Sequence, residues 1–443
     1  MVIKGLDFHR ARANVLNPAT LVNLLRSERM HDVRASNNNT FTYYSYKSAW
    51  HKQYHMKPSH EQLLGISVSA LQNFICIPGI CERLDTSTEE YNNLHSLCQN
   101  KHIYGTHNID SPVGNDLLQQ SIPFLHRVTQ VNDYIPEPSS VLWMTSANAV
   151  ANVHYDLEHN FFWQLYGSKR FELYSVDNVD DFHPYGTAHP QWRQSQQAPS
   201  SSKASFNITL NEGDLLYIPP MMFHSVITQS NSISINIWMY STEMKVTQNL
   251  PMIVLPFRAG DPVPFKTSTL ARAIIILVAR TFDFKTTGAT IPNALRNVYS
   301  EFFKRWRRRW SGLVEFPEYY CEKSCLNVDD SVSNNADETC TVSRYSHFNR
   351  TLFLEIDLPL EVREYSEKVW KILDLIGQER IEGFRKKSSH RRSEIRTKTH
   401  IILMNYMEEV MGLAANSDTD GVKVASPCQL DNFVQNIQRA LRL

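Results

Sequence analysis

Across 443 residues the chain has no long hydrophobic run, no net charge and few cysteines. The longest apolar stretch, Ala273 to Ala279, lies between Arg272 and Arg280. It is too short to cross a bilayer, so it predicts a buried helix and no membrane association. Forty-five basic side chains against forty-five acidic ones leave no global field that would draw the protein to nucleic acid or to a lipid surface. Seven cysteines, with no secretory apolar segment near the start, predict a reducing compartment, cytoplasmic or nuclear, and not a secreted protein. No internal repeat is visible. The chain is long enough for two or three domains with cores of their own.

Residues 1–125 mix helical and strand-like patches, such as Thr40 to Tyr46 and Glu61 to Leu64, and predict a mixed N-terminal extension. Strand signals dominate 126–245. Asn160 to Tyr174 gives two β-rich runs broken at Gly167, which reads as a hairpin. Gly213 to Pro219 gives another strand leading to His224, and Ser232 to Tyr240 alternates cleanly. In that last run Ser232, Ser234, Asn236 and Trp238 share one face, and Ile233, Ile235 and Ile237 share the other. A polar face opposite an apolar one suits a barrel wall with a ligand cavity on one side and packed core or helices on the other. The expected fold is α+β: a double-stranded β-helix, the jelly-roll or cupin type of barrel, with mixed elements before it and helices after it. A proline-containing connector is expected at 246–268 and a helical domain at 269–443, with helical periods near 268–284, 292–310, 359–386, 398–413 and 428–442. Within that domain, 326–345 has the composition of a disordered loop.

His154 and Asp156, with His224 seventy residues after the first histidine, have the spacing of a two-histidine, one-carboxylate iron site. Ligands at i and i+2 on an extended segment point to one face, so both can reach one ion. Three protein ligands on one side of a metal leave open positions for a cosubstrate and oxygen. A histidine two residues before an aspartate is common by chance, so the surroundings must decide. They include Asn160, Gln164, Gly167, Lys169, His189, Pro190, Arg193, Gln194, Gly213, Asp214, His224, Asn236 and Trp238.

On those residues, from about Leu142 to Tyr240, the chain resembles the JmjC-type oxygenases, which use iron(II) and 2-oxoglutarate, and most closely the asparaginyl-hydroxylase branch that inhibits hypoxia-inducible factor. The resemblance implies that His154, Asp156 and His224 hold iron(II). It implies that Lys169 pairs with the distal carboxylate of 2-oxoglutarate, that Asn160 and Asn236 flank this cosubstrate, and that Tyr104 sets a hydroxyl on the same carboxylate. A buried ammonium is costly unless an anion meets it, which gives the lysine role its physical sense. Arg193 and Gln194 stand where relatives hold the primary amide of a target asparagine, and Glu158 and Trp238 complete the substrate-facing set. Ala151 departs from the threonine that the branch uses on the carboxylate; Ser146 and Asn148 are the nearby residues able to compensate. Met222 replaces a common aromatic residue.

The implied activity is hydroxylation of a protein side chain, asparagine or another polar residue, using O2 and releasing succinate and carbon dioxide. Two alternatives stay open: an RNA hydroxylase acting on a tRNA base, and a non-catalytic JmjC binding module. A homodimer through the C-terminal helices is a further expectation. Lys304 to Trp310 and Arg385 to Arg392 interleave cations with aromatics or serines and read mainly as solvated helix faces. Cys321, Cys325, Cys340 and His347 match no standard zinc spacing.

Overall fold

A computed structural model describes residues 2–3, 25, 29–43, 61–68, 70–71, 101–109, 139–187, 191–197, 204–258, 260–281, 359–378 and 389–415. The helical periods expected at 292–310 and 428–442, the disordered loop, the run Lys304 to Trp310, the first half of the run Arg385 to Arg392, the cysteine set, and His189 with Pro190 lie outside the described residues.

The described residues form two compact units. The first is a double-stranded jelly roll of thirteen strands: β1 Val2–Ile3, β2 Asp32–Ser36, β3 Thr40–Phe41, β4 Glu61–Leu63, β5 His102–Asn108, β6 Ser139–Thr145, β7 Val150–His154, β8 His159–Tyr166, β9 Lys169–Tyr174, β10 Phe206–Leu210, β11 Leu215–Ile218, β12 Phe223–Thr228 and β13 Ser232–Met239. The large sheet has the order β1-β11-β8-β13-β6-β5-β2-β4, and the small one β10-β9-β12-β7-β3. The N-terminal region thus extends the large sheet through β5, β2 and β4, and closes the edge of the small sheet with β3.

The alternation in β13 does what its pattern requires. Ile233, Ile235 and Ile237 join a cluster with Val33, Ile103, Leu142, Met144 and Trp163 behind the large sheet. Each isoleucine so buried contributes roughly 1.5–3 kcal/mol. The opposite face carries Ser232, Ser234 and Asn236 into the space between the sheets, where a smaller cluster of Phe162, Phe171, Leu173, Leu216 and Ile218 packs.

The hairpin expected at Gly167 is not formed. Strand β8 pairs with β11 and β13 in the large sheet, whereas β9 pairs with β10 and β12 in the small one. The turn is a corner between sheets. Both runs are buried on both faces, so each is an interior strand, and the partners that flank it come from far along the chain. Gly167 adopts φ +71°, and a Cβ there would meet the carbonyl oxygen of Asn231 at 2.2 Å. Only glycine fits this corner.

The second unit contains α3 Val263–Thr281, α4 Leu360–Leu373, α5 Leu375–Gln378 and α6 Ser389–Ala415; α1 Val179–Phe182 and α2 Thr242–Asn249 come earlier in the chain. Residues 246–268, read as a connector, are helical at both ends through α2 and α3. Ala273, Ile274 and Leu277 of α3 are fully buried. The Tyr365 hydroxyl donates to that of Tyr406 at 3.0 Å inside this unit. No described helix is long and apolar enough to cross a membrane.

Candidate metal centre

Strands β7 and β12 lie side by side, and their register sets His154 opposite His224. The imidazole centroids are 4.3 Å apart. Both rings are held the same way: His154 Nδ1 lies 2.7 Å from the carbonyl oxygen of Asn152, and His224 Nδ1 lies 3.0 Å from that of Met222. A carbonyl only accepts, so each Nδ1 donates its proton and each Nε2 keeps a lone pair. This is the tautomer that binds a metal ion.

The third ligand comes from a turn rather than a strand. Strand β7 ends at His154, and the turn into β8 keeps Asp156 on the same side. The Asp156 carbonyl accepts from the Met221 N–H at 2.7 Å. Met221 pairs there with φ +63°, a left-handed conformation that strains a residue with a Cβ, three positions before His224. The ligand atoms of His154, Asp156 and His224 all lie within 4.8 Å of one another. Two imidazoles and a carboxylate on one side of a common point can hold one divalent ion and leave its far side open.

Burial opposes charge on Asp156, but the two imidazoles and Arg193 outweigh it and hold the carboxyl below its ordinary range. Burial and the neighbouring His154 hold His224 below the usual imidazole value, so the ring is neutral at pH 7. Asn236 donates to Asn160 Oδ1 at 2.9 Å, and Asn160 donates to Asp156 Oδ2 at 3.3 Å. The two amides expected beside a cosubstrate therefore form a relay that orients the carboxylate of this candidate ligand, with Asn236 Oδ1 left unsatisfied.

Lys169 is 3 % exposed, and among the described residues its Nζ meets only the Ser234 hydroxyl at 3.1 Å and the Phe162 ring, 5.3 Å from its centroid. Burial pulls its pKa down to about 7. Tyr104 stands on the inner face of β5, stacked on Phe41 at 5.1 Å and edge-on to Trp143 at 5.3 Å. Burial raises its pKa, so it remains a neutral phenol. The small hydrophobic side chain of Ala151 packs in β7. Neither proposed compensator replaces a hydroxyl there: Ser146 is bonded to the Ile103 backbone, and Asn148 turns the chain at φ +66°.

The substrate-facing set divides. Arg193, itself at φ +71°, lies 3.8 Å from Glu158, both partly exposed. Burial raises the Glu158 pKa, and Arg193 opposes that rise. Trp238 packs edge-on to Trp143 at 6.3 Å. Gln194 is not available to a substrate: its Oε1 accepts from the Tyr43 N–H at 2.9 Å, and its Nε2 donates to the Tyr43 carbonyl. Gln194 also bridges to His154, so it ties the segment after β3 to the first metal ligand. Arg34 continues that tie by donating to the Thr42 carbonyl at 3.0 Å and lying over the Tyr43 ring. The sequence hid this strap, because glutamine at 194 and arginine at 34 have no local pattern that points to partners so far away.

Residues 71–245 match the profile of the cupin-like domain. The match spans about two fifths of the chain and covers every strand from β6 to β13. The chain is 30% identical over 148 residues to Jumonji C domain-containing protein 5 of Drosophila melanogaster, covering 30% of this chain and 37% of that one. It is 32% identical over 121 residues to a lysine-specific demethylase of Arabidopsis thaliana, covering 25% and 22% of the two. It is 30% identical over 132 residues to tRNA wybutosine-synthesizing protein 5 of Gallus gallus, covering 27% and 41%. The chain therefore matches less than half the length of these relatives. The matched segment holds every candidate metal ligand named above, whereas Arg34, Phe41 and Tyr43 precede it.

Proposed function

We propose that this chain is an iron(II)- and 2-oxoglutarate-dependent hydroxylase acting on a protein side chain, asparagine or a similar polar residue, with release of succinate and carbon dioxide. Lys169 carries the reading. A buried amine with, among the described residues, only a hydroxyl and a ring face around it needs an anion, and it shares the space between the sheets with two histidines whose Nδ1 atoms are tied to backbone carbonyls, which leaves Nε2 for a metal. On β13 the inner residues step from Trp238, beside Asn160, to Asn236 and Ser234. Ser234 meets Lys169, and Asn236, one step of about 7 Å along β13, reaches Asp156 through Asn160, a spacing that supports a short dicarboxylate between the metal and Lys169.

Iron and cosubstrate, when bound, supply the oxidation that puts one atom of O2 into a C–H bond. The chain does the rest. His154, Asp156 and His224 would hold the metal; Asn160, backed by Asn236, stops the Asp156 carboxylate from turning. Lys169 would fix the far carboxylate of 2-oxoglutarate. Arg193 and Glu158 present a donor and an acceptor side by side, which suits a carboxamide: the guanidinium donates to its oxygen and the carboxylate accepts from its nitrogen. Glu158 thereby takes the place expected for Gln194. Trp143 and Trp238 shield the space from water.

Purified protein given iron(II), 2-oxoglutarate and oxygen is expected to form succinate; none from the wild-type protein would sink the proposal. Mass spectrometry of cellular protein and tRNA, with and without the gene, then identifies the target by a gain of one oxygen. Arg193→Ala should lose peptide hydroxylation while keeping iron and 2-oxoglutarate binding. The likeness to the wybutosine-synthesizing protein favours RNA as the second reading. Under that reading, neutralising Arg305, Arg307 and Arg308 weakens tRNA binding and flattens its salt dependence.

A further inference from the structure

We infer that Ser234 is a positioning residue for the anion end of this site: its hydroxyl, in place of a carboxylate, seats the amine of Lys169, so that the amine gains its proton as the anion arrives. The identity of the anion, 2-oxoglutarate, rests on the hydroxylase reading.

Ser234 is fully buried on the inner face of β13, in the sheet opposite Lys169, and it accepts from Nζ at 3.1 Å. Among the described residues no charged side chain shares the seat. Strand β10 offers Leu210 beside Lys169, β12 offers Thr228, and β8 offers the Phe162 ring. Arg170 and Glu172 on β9 alternate to the other face of the small sheet, where they pair with each other. Among the described residues, the titratable and charged groups toward the inner face are Tyr104 on β5, a neutral phenol, with Arg34 and Asp32 beside it on β2, and His154, Asp156 and His224 at the metal end.

The floor beneath the amine is also neutral. Thr145 Oγ1 lies 2.9 Å from Ser232 Oγ and 3.3 Å from Thr228 Oγ1, and all three side chains are buried. These hydroxyls satisfy one another across the two sheets and offer no negative charge. An amine in such surroundings is destabilised as an ammonium, and burial brings it to about 7. An incoming carboxylate favours the charged form and must raise that value. Above neutrality, binding therefore draws a proton from solvent.

Calorimetry tests this, using protein loaded with manganese(II), titrated with 2-oxoglutarate at pH 8 in buffers of different ionisation heat. About one proton should be taken up per 2-oxoglutarate bound. Pyruvate, a 2-oxo acid without the far carboxylate, should bind with no such uptake. Ser234→Ala should weaken 2-oxoglutarate roughly tenfold or more, the loss of a hydrogen bond to a charged group, and leave pyruvate unchanged. Ser234→Thr should restore binding. Ser234→Asp should abolish the proton uptake by charging the lysine in advance. Tight 2-oxoglutarate binding without proton uptake, or equal weakening of both acids by Ser234→Ala, overturns the inference. Failure of the manganese-loaded wild-type protein to bind 2-oxoglutarate at all overturns the hydroxylase reading itself.

Discussion

Asp156→Ala is expected to leave a folded protein that no longer holds iron(II) and forms no succinate. Asp156 is the sole anion among the three candidate ligands, and it faces a neutral His224 at 3.8 Å. Without it, two imidazoles alone must hold the ion. The loss in affinity should exceed the roughly 10–100-fold that follows removal of an outer partner. Asn160→Leu supplies that smaller reference, because it cuts the amide relay and keeps all three ligands. Anaerobic addition of iron(II) and 2-oxoglutarate should give the wild-type protein a weak visible charge-transfer band. Asn160→Leu should need more iron to reach it, and Asp156→Ala should show none. A full band in Asp156→Ala would place the metal elsewhere.

Lys169→Met is expected to have opposite effects on stability and on function. Without cosubstrate the buried amine has, among the described residues, no counter-charge, so an apolar chain of similar length should leave the melting temperature unchanged or raise it. With the amine gone, the far carboxylate of 2-oxoglutarate is buried without a partner. Removing one side of a buried charge pair costs about 3–5 kcal/mol, which raises the 2-oxoglutarate requirement by at least roughly 100-fold. Lys169→Arg should also fail, because the wider guanidinium does not fit between Ser234 and the Phe162 ring. Calorimetric melting with and without 2-oxoglutarate, beside succinate formation, checks both signs. Unchanged 2-oxoglutarate dependence in Lys169→Met would mean that the buried amine has another purpose.

How much of this could be read from the chain depends on how far each signal reaches. The two faces of β13 follow from alternation within eight residues, and the structure keeps them. The ligand spacing of His154 and Asp156 is equally local. The corner at Gly167 was misread because two strand-like runs around a glycine look the same whether they pair with each other or with strands elsewhere. What separates the cases is the partner set, β11 and β13 against β10 and β12, which no window around Gly167 contains. Gln194 illustrates the same limit from the side of chemistry. An amide beside an arginine suits a substrate, but here the Tyr43 backbone, 151 residues away in sequence, occupies both ends of it. The hydroxyl seat was half visible: Ser232 and Ser234 were on the inner face, and only the opposing sheet shows that Lys169 sits on one of them.

The two sheets touch through polar groups at both ends of the space between them. Asn160 reaches Asp156 at one end, while Lys169 meets Ser234 and Thr228 meets Thr145 at the other. A dicarboxylate held by the metal and by Lys169 would run between those ends like a strut in a clamshell. Spreading the halves would then stretch the cosubstrate, and losing the cosubstrate would loosen the halves. Ligand that binds the closed form alone stabilises it by mass action. A substitution that wedges the sheets apart, even one remote from every named residue, should thus register first as weakened cosubstrate retention and only later as unfolding.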